Sequence, residues 1–445
     1  MTASDTIFAL SSGAGRAGIA VIRLSGPGTS SLLQSMAGPL PAERAFTLRT
    51  LRDHASGETL DKCVIVWLPA PRSFTGEDCA ELHLHGSPGV IRAVLDVLGR
   101  HDGVRPAEPG EFTRRAFGNG KMDLVEIEGL ADLLEARTAS QRRQAFQQMS
   151  GKASTVFENW RQDLLLIRAD IEAVVDFVDE AGVAEAAAPG INARIQALLG
   201  EISSAMEQST ASELIRDGVR VVLAGHPNTG KSSLLNVLAR REAAIVSDIA
   251  GTTRDSIEVT LDVEGIPVIL TDTAGIHERA ADIVEEEGIR RSRKHMAGAD
   301  VLVWVASPDV DGSEKPDASF PPDILVWNKV DLQSRSGLQR NDLDRAIAIS
   351  TRTGSGISDL LSALASLLNA RYGKAESALV VSARQKLVTS RVHKHLVGAL
   401  ELGPEMLELK AEEIRRASDE IGRLTGRVDV EEWLGAIFSR FCIGK

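Results

Sequence analysis

Cysteine is scarce in this chain of 445 residues: Cys63, Cys79 and Cys442 are too few and too irregularly spaced for a disulfide framework. That scarcity fits a reducing compartment. No apolar run approaches the ~18 residues that a membrane-spanning helix needs. The first residues, Met1-Thr2-Ala3-Ser4-Asp5-Thr6-Ile7, lack the basic and apolar regions of a secretory signal. A basic excess is also missing, since Lys and Arg number 50 against 62 Asp and Glu, a formal charge of −12. Such a balance excludes non-specific coating of nucleic acid or anionic lipid. An RNA role therefore requires a local site or a basic partner. The expectation is a soluble cytoplasmic protein with no membrane association.

Apolar residues make up 43% and charged residues 25%, which is the composition of a globular protein. The length suggests about three domains. The charge is unevenly spread. Residues 122–217 hold 8 basic and 17 acidic groups, whereas residues 1–121 hold 13 and 12. Residues 218–375 carry a net −4 and residues 376–445 are neutral.

Texture divides the chain at the same places. Strand-like runs at Ile19–Leu24, Val64–Leu68 and Ala80–His85, with a helical stretch at Pro88–Leu98, mark residues 1–121 as an α+β unit. From Met122 the period becomes helical. Leu124, Ile127, Ala131 and Leu134 recur at helical spacing, as do Trp160, Leu164, Ile167 and Ile171, then Ile191, Ile195, Leu198, Ile202 and Met206. A short Ala/Gly/Pro break is expected near residues 181–190. From Gly218 apolar runs alternate with helices: Val219–Ala224, Val268–Leu270, Val301–Val305, Ile324–Trp327 and Ala346–Ile349. That alternation predicts a mostly parallel sheet. After Gly373 the helical period returns, with Leu387, His395 and Leu396, then Ile414, Ala417, Ile421 and Leu424. The economical reading is a discontinuous helical domain, residues 122–217 with 376–445, into which an α/β domain, residues 218–375, is inserted.

Gly225-His226-Pro227-Asn228-Thr229-Gly230-Lys231-Ser232 matches the phosphate-loop pattern GxxxxGK[ST] between a strand and a helix. Its backbone N–H groups and helix N-terminus can face phosphates. Lys231 suits the β/γ oxygens and Ser232 suits Mg²⁺. Asp272-Thr273-Ala274-Gly275 ends a strand, where the acid can reach the metal shell and the glycine N–H a γ-phosphate. Asn328-Lys329-Val330-Asp331 ends another. A carboxylate there accepts two hydrogen bonds from guanine and leaves adenine without a match. Ser350-Thr351-Arg352 suits backbone contacts to the guanine oxygen. The loop Asp248-Ile249-Ala250-Gly251-Thr252-Thr253-Arg254-Asp255 offers a Thr to the Mg²⁺ shell. These motifs, in this order, predict a Ras-like GTPase with GTP as substrate. Ile276 follows Gly275 and cannot orient water, so that role falls elsewhere. Glu285 is a candidate base, or it simply starts a helix in an acidic run.

The chain resembles the MnmE (TrmE) family of tRNA-modifying GTPases over nearly its whole length. The resemblance rests on Gly15-Arg16, Val21-Ile22-Arg23-Leu24-Ser25-Gly26, Ser73-Phe74-Thr75-Gly76-Glu77-Asp78, His85-Gly86 and Pro109-Gly110-Glu111-Phe112-Thr113. It rests further on Asn228, the Gly251-Thr252-Thr253-Arg254-Asp255 loop and the end Phe441-Cys442-Ile443-Gly444-Lys445. It implies an N-terminal folate-binding domain that forms a homodimer, a helical bundle domain and an inserted P-loop G domain. By resemblance, GTP meets Asn228, Thr229, Gly230, Lys231, Ser232 and Ser233. It also meets Ser247, Asp248, Ile249, Ala250, Gly251, Thr252 and Thr253, then Asp272, Thr273, Ala274 and Gly275, and finally Asn328, Lys329, Asp331, Ser350, Thr351 and Arg352. Mg²⁺ falls to Ser232 and Thr253. K⁺, which pairs G domains in the family, falls to Asn228, Ser247, Ile249 and Thr252. The catalytic glutamate position falls on Glu285.

A 5-formyl- or methylene-tetrahydrofolate would meet Arg23, Glu81, Lys121 and Lys445. Without the resemblance, Arg23 and Glu81 read as ordinary strand-edge charges, and Cys442 reads as a packed residue or a reactive thiol. The implied activity needs a flavin-containing partner, MnmG (GidA). Together they would add an aminomethyl or carboxymethylaminomethyl group to C5 of the wobble uridine of certain tRNAs. The acidic helical segment predicts that the partner supplies much of the RNA grip. A rival reading is a GTP-dependent assembly or ribosome-associated protein whose N-terminal unit only dimerises.

Overall fold

The computed structural model describes residues 5–13, 15–175, 183–241, 258–272, 290, 293–313, 316, 318–332, 346–372, 378–428, 431–441 and 444. The chain divides into two compact units. One comprises Met1–Ala131, Gln148–Leu166 and Arg415–Lys445, and the other Asp132–Gln147 and Ile167–Ile414.

The first unit is built on a six-stranded sheet of order β3-β4-β5-β2-β1-β6. Its strands are β1 (Thr6–Leu10), β2 (Ile19–Ser25), β3 (Thr47–Arg52), β4 (Thr59–Leu68), β5 (Cys79–His85) and β6 (Val104–Pro106). All pairings are antiparallel except β1 with β6. Burial alternates along β2 as a strand requires: Ala20, Ile22 and Leu24 are buried while Val21 and Arg23 are only partly covered. Helices α1 (Thr29–Ala37) and α2 (Pro88–Leu98) cover the apolar face through Leu32, Leu33, Met36, Val94, Val97 and Leu98. Pro88 opens α2, where a missing N–H costs nothing.

Helix α3 (Glu111–Gly118) adds a charged knot that no sequence motif announced. Arg115 reaches Asp5, Glu77 and Glu111 at 2.9, 3.1 and 3.0 Å, and Arg105 forks onto Glu111 at 2.6 and 2.8 Å. Burial alone would raise the Glu111 carboxyl. The hydrogen bonds from Arg105, the Glu108 N–H and Arg115 outweigh it and hold Glu111 at about 2. Helix α4 (Leu124–Glu135) then packs Leu124, Ile127, Leu130 and Ala131 against Ile437, Phe438 and Phe441 of the far end of the chain.

The second unit holds a six-stranded sheet of order β12-β11-β10-β7-β9-β8. It comprises β7 (Val219–Ala224), β8 (Glu258–Val263), β9 (Ile266–Asp272), β10 (Val301–Ala306), β11 (Ile324–Trp327) and β12 (Ile347–Ala348). Only β8 runs antiparallel, against β9. Helices α8 (Lys231–Arg241) and α9 (Ile357–Tyr372) bury Leu234, Leu235, Leu238, Leu360, Leu364 and Leu368 against this sheet. The predicted strands Val219–Ala224 and Ile324–Trp327 are found at those residues. Central parallel strands are buried on both faces and so read as unbroken apolar runs.

Helices α5 (Ala139–Met149), α6 (Lys152–Val175), α7 (Val183–Asp217), α10 (Ala383–Glu401), α11 (Leu407–Thr425) and α12 (Glu431–Phe438) make up the rest. Helix α7, before the sheet, meets α10, after it. Ser212 Oγ donates to Val380 O at 2.8 Å, and Lys386 pairs with Glu213 at 2.9 Å. Two expectations are corrected. The break near residues 181–190 does not extend through 183–190, because α7 runs through Pro189. A proline there removes one N–H bond, and seven further turns of helix follow it. Leu387 and Leu134, both read at helical core spacing, are exposed; α10 buries Gln385, Val388, Thr389, Val392 and Leu396 instead.

Candidate functional site

The phosphate loop joins β7 to α8. Gly225 and Gly230 are fixed by space. A Cβ on Gly225 would stand 2.2 Å from Val305 O, and one on Gly230 2.3 Å from Asn328 Nδ2. Asn228 between them takes a left-handed φ of 65°, a conformation that asparagine tolerates better than most residues. Lys231 is buried, and its Nζ donates to Gly225 O and His226 O at 3.0 and 2.8 Å. Burial lowers its pKa, and the Asp272 charge opposes that shift. Ser232 Oγ donates to the Asp272 carboxylate, so two hard oxygens meet where the loop opens.

The guanine-type motif is bonded into this loop. Asn328 is fully buried; its Nδ2 donates to Thr229 O at 2.9 Å and its Oδ1 accepts from the Thr351 N–H at 3.2 Å. Ser350 Oγ donates to Asp331 Oδ1 at 2.7 Å, and Arg352 lies 3.8 Å from the same carboxylate. Lys329 Nζ donates to Asn228 O at 2.6 Å and to Asp309 at 2.7 Å. Lys329 and Ser307 hold the Asp309 carboxyl below its ordinary value. Asp309 was not singled out from the sequence, because it lies outside every motif. Besides the backbone contacts that Ser350-Thr351-Arg352 suits, the Ser350 hydroxyl braces Asp331.

Thus the structure brings together Asn228, Thr229, Gly230, Lys231, Ser232, Asp272, Asn328, Lys329, Asp331, Ser350, Thr351 and Arg352, and Ser233 follows in the first turn of α8. Ser247, Asp248, Ile249, Ala250, Gly251, Thr252, Thr253, Thr273, Ala274, Gly275 and Glu285 lie outside the described residues.

A second cluster lies on the sheet of the first unit. Arg23 on β2 is in register with Glu81 on β5, and its Nε and one Nη donate to Glu81 Oε1 at 3.2 and 2.9 Å. Glu81 Oε2 faces His83 Nε2 at 3.2 Å. The Arg23 guanidinium lies 5.2 Å from the Phe74 ring centre and 6.0 Å from that of Phe112. Lys121 Nζ donates to Pro71 O at 3.1 Å, and its stem lies over Gly76, in the loop that carries Phe74. Lys445 is outside the described residues, but Gly444 is placed. Its carbonyl accepts from Ser11 Oγ at 2.9 Å, and a Cβ on it would lie 2.4 Å from Leu10 O. Leu10 adjoins Ala9, the register partner of Arg23. Cys63 is buried, and burial with the nearby Asp61 charge pushes its thiol up to about 12, which removes it as a nucleophile near neutrality.

Two family models match the chain. One described as the MnmE helical domain matches residues 124–442, and one described as the GTP-binding protein TrmE N-terminus matches residues 6–121. The chain belongs to the MnmE family. The tRNA modification GTPase MnmE of Methylobacterium sp. (strain 4-46) is 48% identical over 447 residues, 99% of this chain and 100% of that relative. The protein of the same name from Rhizobium meliloti (strain 1021) is 47% identical over 448 residues, covering 100% of each. Among solved structures, the G domain of the T. maritima FeoB iron transporter matches 33% of this chain and 97% of its own, at 23% identity and a TM-score of 0.25. No helix among the described residues is long and apolar enough to cross a membrane.

Proposed function

We infer that this chain is a GTPase acting in tRNA modification, the activity for which its family relatives are named. The observation that carries the reading is one hydrogen-bonded assembly. Asn328 bonds the phosphate loop at Thr229 and the third motif at Thr351, while Ser350 steadies Asp331. Guanine specificity and phosphate binding are thereby held in one rigid frame. Asp331 would accept from the guanine N1–H and amino group. Lys231 would balance charge on the β/γ oxygens, and Glu285 would orient the attacking water.

Ser232, with Asp272 beside it, fits Mg²⁺, a cation that draws charge from the phosphates, and Thr253, outside the described residues, would complete its shell. Asn228, with Ser247, Ile249 and Thr252, would hold K⁺ where other GTPases place an arginine. Of these four only Asn228 lies among the described residues. Its turned backbone and amide oxygen suit a weakly charged cation.

The sheet site supports the folate reading. Arg23 can hold a folate carboxylate, and Glu81 can accept from the pterin amino and N–H groups. Lys121 and Lys445 would complete the site with further cations. We further propose a homodimer through the N-terminal domain, a cytoplasmic setting, and joint action with the MnmG flavoprotein on C5 of a wobble uridine. The deciding experiment is nucleoside analysis of tRNA from a strain lacking this chain; unchanged C5-modified uridine overturns the reading. GTP turnover in KCl should exceed that in NaCl widely, and equal rates remove the K⁺ assignment. Calorimetry with 5-formyltetrahydrofolate should show binding that Arg23→Ala abolishes.

A further inference from the structure

Helix α5 is turned inside out. A helix on a protein surface normally faces its apolar side inward. Here the inward side is polar: Ser140, Gln144 and Gln148 are buried beside Ala145. Gln144 Nε2 donates to Ser212 O at 3.2 Å and Gln141 Nε2 to Arg216 O at 2.9 Å, so amide groups share the seating of the helix with Ala145 and the partly buried Met149. The largest apolar side chain, Phe146, points outward with 56% of its surface exposed. Arg142 stands one turn before it on the same face, and Arg143 and Arg137 are exposed nearby. Arg143 Nη2 also donates to Ser140 Oγ at 3.2 Å.

The charge is as unusual as the packing. From Ala136 to Phe157 the chain has Arg137, Arg142, Arg143 and Lys152 and no acidic residue, within a segment of 8 basic and 17 acidic groups. A basic island within an acidic segment complements a polyanion. An exposed aromatic ring among arginines fits unstacked bases, which stack on aromatic faces while the guanidinium groups meet phosphate.

We propose that the outward face of α5, with Phe146 and Arg142 at its centre, is a docking surface for the tRNA, contacting phosphates and an unstacked base. The proposal rests on the tRNA-modification reading. It also agrees with a chain that is unable to grip RNA over its whole surface. The N-terminus of α5 abuts the β8–β9 turn, where the Ser140 N–H donates to Gly265 O at 3.3 Å. The docking helix therefore touches the sheet whose strand β9 ends at Asp272.

The test is fluorescence anisotropy of the full chain with labelled unmodified tRNA across a salt series. Phe146→Ala should weaken binding by about tenfold at every salt concentration, the scale of one lost base stack. Arg142→Gln should weaken it and reduce the slope of log affinity against log salt by about one. GTP turnover should be unchanged in both variants, which shows that they fold. Wild-type affinity in both variants, or no tRNA binding by the wild-type chain at low salt, overturns the proposal. So does unchanged tRNA affinity combined with loss of self-association or of flavoprotein capture, which assigns the face to a protein. In a strain lacking this chain, loss of the modified uridine tests the wider reading by itself. Full restoration by the double variant overturns only the docking face.

Discussion

The two candidate sites of this chain are assembled in opposite ways. The nucleotide site is made of loops at the ends of parallel strands, and each loop arrives as a contiguous motif. The sheet-face site is made of single residues on neighbouring strands, Arg23 opposite Glu81, with Lys121 and the Gly444 segment brought in from far along the chain. Loops can offer backbone N–H groups freely, because they are not spent on a ladder. Strand residues offer only side chains, and in the sheet site those side chains already satisfy each other. A ligand at the first site meets a preformed cradle. A ligand at the second must displace an ion pair before it gains contacts.

That contrast predicts unequal losses. Lys231→Ala should reduce GTP hydrolysis by about 10²-fold or more in single-turnover assays, since a fixed cation facing the phosphates has no substitute. Asp331→Asn should weaken GTP binding by about 10²-fold in nucleotide titrations, because two charge-assisted bonds are lost. Xanthosine triphosphate, which presents a carbonyl in place of the guanine amino group, should gain affinity in the same variant. If both changes also abolished folate binding, the two sites would not be separable as described.

Arg115→Met should destabilise the first unit by about 3–5 kcal/mol, because Glu77 would lose its cation and Asp5 and Glu111 would keep only Arg105. Calorimetry should show the transition of that unit moving down while nucleotide binding by the other persists. Acid titration examines the same knot. Glu111 has a folded pKa of about 2 against 4.5 ordinarily, so its contribution is present above 4.5 and is lost as pH falls toward 2. In urea melts, Glu111→Gln should be less stable than the parent near neutrality and should converge with it in acid. The smallest stability effect belongs to Glu81→Gln. Its pair with Arg23 is partly exposed and should cost no more than about 1 kcal/mol, while folate binding is lost. A large loss of stability would make the pair structural.

The sequence was most readable where physics forces local patterns. The buried strands Val219–Ala224 and Ile324–Trp327 gave their limits from apolar runs, and the phosphate loop gave its glycines because Val305 O and Asn328 leave no room for a Cβ. Long-range bonds left no local trace. Asp309 braces Lys329 and Asp5 braces Arg115, yet neither belongs to a recognisable spacing. Helical periodicity misplaced Leu387 because α10 buries a polar pair, Gln385 and Thr389, on its inner face. Helix α5 carries the same lesson further, since its amide-lined seat contradicts the apolar pattern that announces a helix. The proposed folate positions were visible only through family resemblance; Arg23 and Glu81 as residues are strand charges like many others.

The first compact unit opens the chain but includes the segment Arg415–Lys445. Synthesis runs from the N-terminus, so this unit must wait, incomplete, until residues 167–414 have been made. The Phe438 and Phe441 packing against α4, and the seat of Gly444 on Leu10, form only then. The G-domain sheet suffers no such delay, since all its strands lie between Val219 and Ala348. On the ribosome the nucleotide site can therefore be finished first, and the sheet-face site is completed only once Arg415–Lys445 has been made.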